Sequence, residues 1–402
     1  MKLTRCPSTL SYIRKLIDDP KTPDAFHVID IGRVVERFSL WKNNLTEVSA
    51  YYAVKTNPDP IILETLANQG LGFDCASENE MKFILRLGVS PDRIVFSNTR
   101  KPNSAIIFAR QNGIKKMTFD SNDELIKMIE LFPDAEYILR IKTDDSDSVI
   151  KLSTKFGCTL NKALELIKIC NNSKVNLIGL HFHVGSNCSN AESFKKAILD
   201  CVYLFKEAQE TYGMKFTFLD LGGGWPGTND KLFKEMAQVV NQNLRLYFDS
   251  SVKVIAEPGR FFAAPAVTLV TKIIGVDEFK REIGDNSVEN KFEECRSYFL
   301  SNGIYQSFYL SIYFKYDTTI MESEGLNFRP LSNRKDFNSL NLYSSILFGP
   351  SCDCGDVVIK NIMFPEMKRG DYLYSYNTGA YFDSLGTNFN GIEQSRPYYF
   401  CS

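Results

Sequence analysis

The chain of 402 residues has few of the features that mark several large classes of protein. It has three histidines, and its ten cysteines include no C-x-x-C pair. This argues against a metal site or a disulfide framework, and scattered cysteines are typical of a reducing cytoplasm. The N-terminal run MKLTRCPSTL lacks the apolar core of a signal peptide, and no later run is long enough to span a membrane. We therefore expect a cytoplasmic protein.

Neither sign of charge is in excess, because the formal net charge is −1 and there is no long basic run. The sequence gives no electrostatic support for binding nucleic acid or an anionic membrane surface. Apolar residues make up 44% and charged residues 24% of the chain, which is typical of a folded globular protein. The length is sufficient for two domains, each with its own core.

From about residue 48 the sequence alternates short strand-like runs with longer segments that carry apolar residues at helical spacing. The strand-like runs are SAYYAVK, LGFDCAS, RIVFSN, KKMTFDS, AEYILRIK, NLIGLHFHVGS, KFTFLDLGGG and VKVIAEPGR. This alternation predicts a (β/α)8 barrel over residues 32–268. An open, doubly wound sheet is the alternative.

After about residue 268 the strand-like runs are rich in Tyr, Phe, Ser and Gly, as in YSSILFG and DYLYSYNTGAYF. They predict a mostly antiparallel β-barrel or β-sandwich domain of residues 269–402. The early run FHVID precedes the barrel pattern, and we expect residues 1–31 to join this second domain. The polar segment between Asp277 and Glu294 is expected to form a mobile loop.

Polar side chains occur where the predicted barrel strands end, which is the edge at which barrel loops build active sites. Lys55 ends the first run on its predicted inward face, Asp74 lies in the second run and Arg140 in the fifth. The last three runs end in HFHVGS, GGGWPG and EPGR. Taken singly, these residues have ordinary interpretations, such as a solvated rim lysine, a core histidine or a surface ion pair. GGGWPG also fits a dinucleotide-binding pattern, but Pro226 opens no predicted helix, so that function is not expected.

Taken together, the same residues match the needs of one cofactor. Pyridoxal phosphate (PLP) requires an amine that bonds to its aldehyde carbon and a group that stacks on its ring. It also requires a turn that binds its phosphate and an acid that holds its pyridine nitrogen protonated. The combination predicts a PLP enzyme, although none of the motifs does so alone.

The motifs YAVKTN, FDCAS, HFHVGS, GGGWPG, EPGR, GPSCDCGD and GAYF occur in this order, and the chain resembles the eukaryotic ornithine decarboxylase branch of the fold-type III PLP enzymes. The resemblance implies an alanine racemase-like barrel in which Lys55 bonds covalently to the cofactor and His183 stacks on its ring. It implies that Glu257 pairs with the pyridinium nitrogen, and that Asp74 and Arg140 lie close to the lysine. The residues that it implies for the phosphate are Ser186, Gly222, Gly223, Gly224, Arg260 and Tyr381.

The resemblance also implies a head-to-tail homodimer with shared active sites. In such a dimer the partner subunit supplies Cys352, which protonates the product carbon, and Asp353, which binds the distal amine of the substrate. Lys155 and Asp356 match positions that pair across the interface. Relatives that racemise amino acids place an arginine at the pyridine nitrogen, so Glu257 favours decarboxylation.

One stretch departs from the family pattern. In QSFYLSIYFKYD, Phe314 occupies the position at which the family has a second aspartate for the substrate's distal amine. We assign Tyr313 and Phe314 to the substrate pocket and expect weaker ornithine binding than in relatives. Asp317 is a candidate replacement if the loop is longer.

Three functions remain open. The first is decarboxylation of L-ornithine to putrescine and CO2 in polyamine biosynthesis. The second is decarboxylation of arginine or lysine; diaminopimelate is disfavoured because its enzymes usually read C-E-S where this chain has C-D-C. The third is a non-catalytic regulator that resembles antizyme inhibitor and binds an antizyme-like partner. Retention of Lys55, Asp74, Arg140, Arg260 and Cys352 argues against the third.

Overall fold

The computed structural model describes residues 4–283, 291–314, 327–331 and 341–402. The N-terminal segment contains β1 (Thr4–Arg5), α1 (Thr9–Ile17), β2 (Ala25–Asp30) and α2 (Ile31–Asn44). Strands and helices then alternate as β3 (Val48–Ala53), α3 (Pro60–Asn68), β4 (Gly72–Cys75), α4 (Glu78–Arg86), β5 (Ile94–Phe96), α5 (Asn103–Gln111), β6 (Lys116–Phe119), α6 (Asn122–Leu131), β7 (Glu136–Arg140), β8 (Ser148–Ile150), α7 (Leu160–Asn172), β9 (Leu177–His181), β10 (Ser186–Cys188), α8 (Glu192–Tyr212), β11 (Phe218–Asp220), α9 (Asp230–Tyr247), β12 (Lys253–Ala256) and α10 (Arg260–Ala263). The last part contains β13 (Val267–Ile283), β14 (Lys291–Leu300), α11 (Tyr309–Tyr313), β15 (Phe328–Leu331), β16 (Leu342–Phe348), β17 (Val357–Pro365), β18 (Tyr372–Tyr376) and β19 (Arg396–Cys401).

The chain folds as two compact units, of which one is Val34–Phe262 and the other combines Met1–Arg33 with Ala263–Ser402. We call them the barrel unit and the sheet unit. Among the described residues of the barrel unit, strands β3, β4, β5, β6, β7, β9, β11 and β12 pair in parallel and close into a barrel in that order. The barrel prediction is therefore confirmed, and the open sheet is excluded.

The barrel interior is filled with large side chains below the level at which the polar residues begin. Its buried cluster consists of Tyr51, Val95, Ile138, Phe218 and Ile255, which come from five different strands. Inward-pointing side chains at the same height on neighbouring strands form such layers in parallel barrels. This apolar layer closes the barrel from one side, so the polar residues at the strand ends line its other, carboxyl-terminal end.

The outer helices begin and end at residues suited to that role. Asp59 accepts the N–H groups of Ile61 and Ile62, and Pro60 occupies the first position of α3. Ser77 accepts the N–H of Glu80 at the start of α4. Helix α8 ends at Gly213, whose φ of 68° is left-handed. These caps satisfy backbone groups at helix ends, where no intrahelical partner exists.

In the sheet unit, the described strands form one mostly antiparallel sheet of nine strands. Strand β2, which contains the FHVID run, pairs antiparallel with β13 and parallel with β19. The N-terminal segment therefore belongs to this sheet, as the sequence predicts. Among the described residues, no helix combines the length and the apolar character needed to cross a membrane.

The loop prediction for the polar segment between Asp277 and Glu294 is wrong for the residues that are described. Strand β13 continues to residue 283, and β14 begins at residue 291 and pairs with it. Residues of opposite charge face each other across this pair: Glu278 and Arg296, Lys280 and Glu294, Arg281 and Glu293. Cross-strand charge pairs stabilise a two-stranded ribbon without the apolar alternation on which strand prediction depends.

Candidate active site

Lys55 lies at the carboxyl-terminal end of the barrel and contacts Asp74. Strand β3 ends at Ala53, and Lys55 sits in the following 3-10 turn, so the strand is two residues shorter than the sequence alternation predicts. The Lys55 side chain is 42% exposed, and its Nζ forms an ion pair with the fully buried Asp74 carboxylate. Burial and the nearby Glu257 raise the pKa of Asp74, and the Lys55 ammonium opposes them. The amine is therefore accessible yet fixed by a buried carboxyl group.

Glu257 follows β12 and has a polar partner on each of its carboxylate oxygens. The Ser97 hydroxyl donates a hydrogen bond of 2.5 Å to Oε1. The His181 Nε2 atom lies 3.4 Å from Oε2, an electrostatic contact rather than a well-formed hydrogen bond. Burial raises the pKa of the Glu257 carboxyl, but His181, Lys55 and Ser97 outweigh it and hold that pKa below its ordinary value. Glu257 is therefore a buried, ionised carboxylate.

His181 and Asp220 complete this buried group. Ligand atoms of His181, Asp220 and Glu257 lie within 4.8 Å of one another, and the His181 and Asp220 side chains are fully buried. Burial lowers the pKa of His181, and the Glu257 carboxylate opposes this shift. Burial and Glu257 raise the pKa of Asp220 well above its ordinary value. Of the two carboxyl groups, Glu257 therefore holds a negative charge more readily than Asp220.

His183 and the glycine turn after β11 form a narrow cradle. The Nδ1 atom of His183 accepts the Gly185 N–H at 3.0 Å, and burial with the nearby Arg140 lowers the pKa of this ring well below its ordinary value. A Cβ atom on Gly223 would lie 2.6 Å from the Nε2 atom of His183. Gly222 and Gly224 have φ values of 59° and 109°, which L side chains rarely adopt. Only glycine keeps this turn open beside the imidazole face.

Two arginines bring positive charge to the same end of the barrel. Arg260 opens α10 and is 7% exposed, and its Nη2 atom donates to the Ser186 hydroxyl at 3.4 Å. Arg140 ends β7, and its guanidinium lies 4.8 Å from the centre of the Phe156 ring. Burial lowers the pKa of Arg140, and Glu257 opposes this. A guanidinium, a hydroxyl and backbone N–H groups are the donors that bind phosphate in proteins.

These groups fit a pyridoxal phosphate molecule. The glycine turn with Ser186 and Arg260 suits its phosphate, and the neutral His183 ring suits its aromatic face. Glu257 is an ionised acceptor for a protonated ring nitrogen, and Lys55 is the accessible amine. The fit depends on the open cradle at Gly223, because any side chain there would occupy the space beside His183.

The sheet unit carries Cys352 and Asp353 on the loop between β16 and β17. Cys352 is exposed, and its N–H donates to the Asn390 side chain at 2.9 Å. The Asp353 carboxylate accepts the Tyr305 hydroxyl on Oδ2 and the Gly355 N–H on Oδ1. The hydrogen bond from Tyr305 lowers the pKa of Asp353, and the same bond raises the pKa of Tyr305. Asp353 is therefore an ionised, partly exposed carboxylate with a fixed orientation.

The other predicted residues of the sheet unit have varied surroundings. Phe314 directly follows α11 and is 6% exposed, whereas Tyr313 is 52% exposed. Tyr381 is partly buried and has a left-handed backbone with a φ of 66°. Asp356 is 2% exposed, and its two oxygens accept backbone N–H groups of its own unit. Asp317, the proposed replacement acid, lies outside the described residues.

Sequence reasoning missed Ser97, Asp220 and Tyr305. Ser97 and Asp220 stand at the ends of barrel runs, in FSN and LDL, so the strand-end rule that selected Lys55 could have selected them. Tyr305 had no comparable signal, because it lies 48 positions from Asp353 in sequence. His181 lies in the HFHVGS motif, where the ordinary interpretation is a core histidine.

An eight-stranded parallel barrel with a lysine, an imidazole, a glycine turn and a buried carboxylate at its carboxyl-terminal end is typical of a PLP enzyme of fold type III. Comparisons with known proteins place the chain within that class. A family model for the pyridoxal-binding domain of pyridoxal-dependent decarboxylases matches residues 31–264. The chain therefore belongs to the pyridoxal-dependent decarboxylase family, and PLP is its cofactor.

Curated relatives and solved structures agree with this family. The chain is 39% identical over 384 residues to ornithine decarboxylase of Rattus norvegicus, covering 94% of this chain and 81% of the relative. It is 38% identical over 380 residues to antizyme inhibitor 2 of Xenopus laevis, with the same two coverages. Among solved structures, the arginine decarboxylase of Paramecium bursaria Chlorella virus matches with a TM-score of 0.87 at 32% identity, covering 97% of this chain and 100% of that one. A lysine/ornithine decarboxylase from Vibrio vulnificus, complexed with cadaverine, matches with a TM-score of 0.83 at 26% identity, covering 98% and 99%.

Proposed function

We propose that the chain decarboxylates L-ornithine to putrescine and CO2, and that two subunits share each active site. The reaction breaks the bond between the α-carbon and the carboxylate and places a proton on that carbon. When bound, PLP supplies the protonated ring that accepts the electron pair of the broken bond. Glu257 holds the proton at the ring nitrogen, and the thiol of Cys352 from the partner subunit returns a proton to the α-carbon.

The observation that carries the choice of a basic amino acid is the state of Asp353. Two of its four acceptor positions are used, one on each oxygen, by Tyr305 and Gly355. One acceptor position therefore remains on each oxygen, and this carboxylate can bind the distal cation of ornithine, lysine or arginine. Identity with curated ornithine decarboxylases supports ornithine.

The replacement of a family aspartate by Phe314 should lower affinity. Loss of one charge-assisted contact costs roughly 1.5–3 kcal/mol of substrate binding. Phe314 is apolar and nearly buried, so the pocket that we assign to Tyr313 and Phe314 has one acid rather than two. We infer a decarboxylase that binds ornithine more weakly than its two-acid relatives.

Exposed aromatic side chains near the Cys352 loop support a dimer with shared sites. Tyr305 lies 4.3 Å from Phe389, measured between ring centres, and Phe389 is 42% exposed. Tyr313 is 52% exposed. Large aromatic rings that remain exposed in one subunit are typical of residues that a partner covers.

A second candidate is a regulator without catalytic activity, and the relative named antizyme inhibitor 2 favours it. In that case the chain would bind an antizyme-like partner. The complete cofactor set opposes this candidate, because the Lys55–Asp74 pair and the ionised Glu257 have no evident use in a protein that only binds another protein.

The test is release of CO2 from ornithine, lysine, arginine and diaminopimelate, measured in parallel on the purified holoenzyme. We expect the highest kcat/KM with ornithine and lower values with lysine and arginine. A higher kcat/KM with arginine or lysine would assign the second substrate class instead. Absence of release from all four, with PLP bound, would favour the regulator. The variant Lys55→Ala provides the background rate.

A further inference from the structure

The carboxylate of Glu257 is enclosed by side chains from three other barrel strands or their ends. Ser97 follows β5, His181 ends β9, and Asp220 ends β11. Their exposed fractions are 7%, 0% and 0%, and that of Glu257 is 4%. Such a buried polar group is costly unless its hydrogen bonds are satisfied. The contacts that Ser97, His181 and Asp220 make with Glu257 therefore indicate what this buried group does.

We propose that Ser97 and His181 are positioning residues that orient the Glu257 carboxylate toward the ring nitrogen of PLP. This inference rests on the proposed function, in which Glu257 holds the proton of that nitrogen. It assigns roles to two residues through their contacts with Glu257.

Ser97 acts through the direction of its hydrogen bond. Its hydroxyl has a single proton, and the distance of 2.5 Å to Oε1 of Glu257 gives that proton to the carboxylate. A protonated carboxyl group accepts a hydrogen bond less strongly than a carboxylate does. The bond from Ser97 therefore favours the ionised form of Glu257. The same hydrogen bond also fixes the rotation of the Glu257 carboxylate plane. It holds one carboxylate oxygen at Ser97, which follows β5, while the Glu257 side chain itself follows β12.

His181 acts on the other oxygen. Neither of its ring nitrogens has a hydrogen-bond partner among the described residues, and Nε2 is directed at Oε2 of Glu257 from 3.4 Å. A cationic imidazole would compete with the pyridinium for the negative charge of Glu257. Burial lowers the pKa of His181 and so opposes the cationic form, which favours leaving that charge to the cofactor.

Asp220 is the residue that could undo this arrangement. Its Oδ1 accepts the Gly222 N–H at 2.9 Å, and its Oδ2 has no partner within the described part of the chain. If it were ionised, its charge would raise the proton affinity of Glu257. Burial and Glu257 raise the pKa of Asp220, which favours its neutral form, and the Gly222 contact ties it to the cradle of the proposed phosphate site.

The competing explanation is that these polar side chains only fill space under the site. The two explanations differ for a cofactor analogue in which the ring nitrogen is replaced by C–H. Such an analogue keeps the phosphate and the aldehyde but cannot engage Glu257. A residue that acts through Glu257 should matter for PLP and not for the analogue, whereas a packing defect should weaken both.

The experiment measures the dissociation constants of PLP and of this analogue for the wild-type apoenzyme and for Ser97→Ala. We expect Ser97→Ala to weaken PLP binding about tenfold, since it removes one hydrogen bond to a charged group, and to leave analogue binding within about twofold. The matched control is Ser193→Ala, because the Ser193 hydroxyl also donates to a carboxylate, that of Asp147, in the same unit. It should change neither constant.

Equal weakening of PLP and the analogue, or no change in either, would overturn the inference. A variant His181→Asn provides a second test if thermal unfolding shows that Ser97→Ala is unfolded, and the same loss specific to PLP is expected. Wild-type CO2 release, measured in the same preparation, separates the two proposals. If the wild type releases CO2 and Ser97→Ala binds PLP as tightly as the wild type, only the positioning roles are contradicted. If the wild type neither binds PLP nor releases CO2, the positioning roles and the proposed function are both contradicted.

Discussion

The barrel unit and the sheet unit hold their functional residues in contrasting ways. In the barrel unit, Asp74 and Glu257 are almost fully buried, and their charge states follow from desolvation and from one another. In the sheet unit, Cys352 and Asp353 lie on an exposed loop, and the hydrogen bond from the Tyr305 hydroxyl lowers the pKa of Asp353.

The difference corresponds to the two tasks of the proposed reaction. A cofactor that stays bound needs fixed charges in a dry site, where electrostatic interactions are strong. A substrate that enters and leaves needs accessible groups that give up water on binding. The buried Asp74 and Glu257 therefore lie in one barrel, and the more exposed Cys352 and Asp353 are suited to a neighbouring subunit.

The contrast between the two units can be tested by placing one defect in each unit. Lys55→Ala and Cys352→Ala should each abolish most CO2 release, Lys55→Ala by roughly 10⁴-fold, because the covalent attachment is lost. Mixed in equal amounts and allowed to exchange subunits, they should recover about a quarter of wild-type activity, since half the dimers are mixed and each has one intact site. Activity of the mixture is measured against each variant alone.

A control for that mixture lies within the barrel unit. Lys55→Ala mixed with Glu257→Ala should recover nothing, because both residues come from the same barrel and every site keeps one defect. Recovery in this control, or none in the first mixture, would contradict a site divided between subunits.

Glu257→Gln should have the next largest effect. The amide keeps the size of the side chain but cannot act as the anionic partner of a protonated ring, and we expect kcat to fall on the order of 10²-fold. Rates at saturating ornithine measure this loss. Glu80→Gln is the control, since Glu80 is a partly buried carboxyl of the barrel unit that accepts the Ala76 N–H at the start of α4. A kcat for Glu257→Gln equal to that of the control would show that the buried charge has no catalytic use.

The sequence predicted the barrel and the polar residues at its carboxyl-terminal end because both are encoded locally. Lys55, His183 and the glycine turn follow strand-like runs, and parallel strands of one barrel end on the same side. The contact of Ser97 with Glu257 joins residues 160 positions apart and depends on which strands face each other across the barrel. No local pattern contains that information. The β13–β14 pairing was missed for a related reason. Its charged residues pair across two strands, but in the linear sequence they look like the composition of a loop.

Phe314→Asp tests the sheet unit and should have a moderate effect. It restores the second acid of the family pattern, and we expect the KM for ornithine to fall about tenfold. Phe314→Leu is the control for altered packing, because Phe314 is only 6% exposed. An unchanged KM in Phe314→Asp, with normal thermal unfolding, would remove this residue from the substrate pocket.

Asp220→Asn should give the smallest effect, on stability rather than on turnover. Because the folded-state pKa of Asp220 is raised, the folded protein binds the proton more tightly, and stability falls as pH rises from the unfolded value of 3.8. Asparagine removes this penalty while retaining an acceptor for the Gly222 N–H. We expect a Tm about 2–4 °C above wild type at pH 8 and a smaller gain at pH 5. A larger gain at pH 5 would contradict a protonated Asp220.

Tyr381 is a position of the sheet unit at which the backbone conformation lowers stability. A left-handed backbone costs a bulky residue about 1–3 kcal/mol relative to ordinary conformations, and glycine would occupy the same position without that cost. For folding alone, tyrosine is therefore an inferior choice. If its hydroxyl binds the cofactor phosphate, as we propose, then stability and function oppose each other at this residue. Searches for a more thermostable variant would then tend to select substitutions at Tyr381 that harm the enzyme.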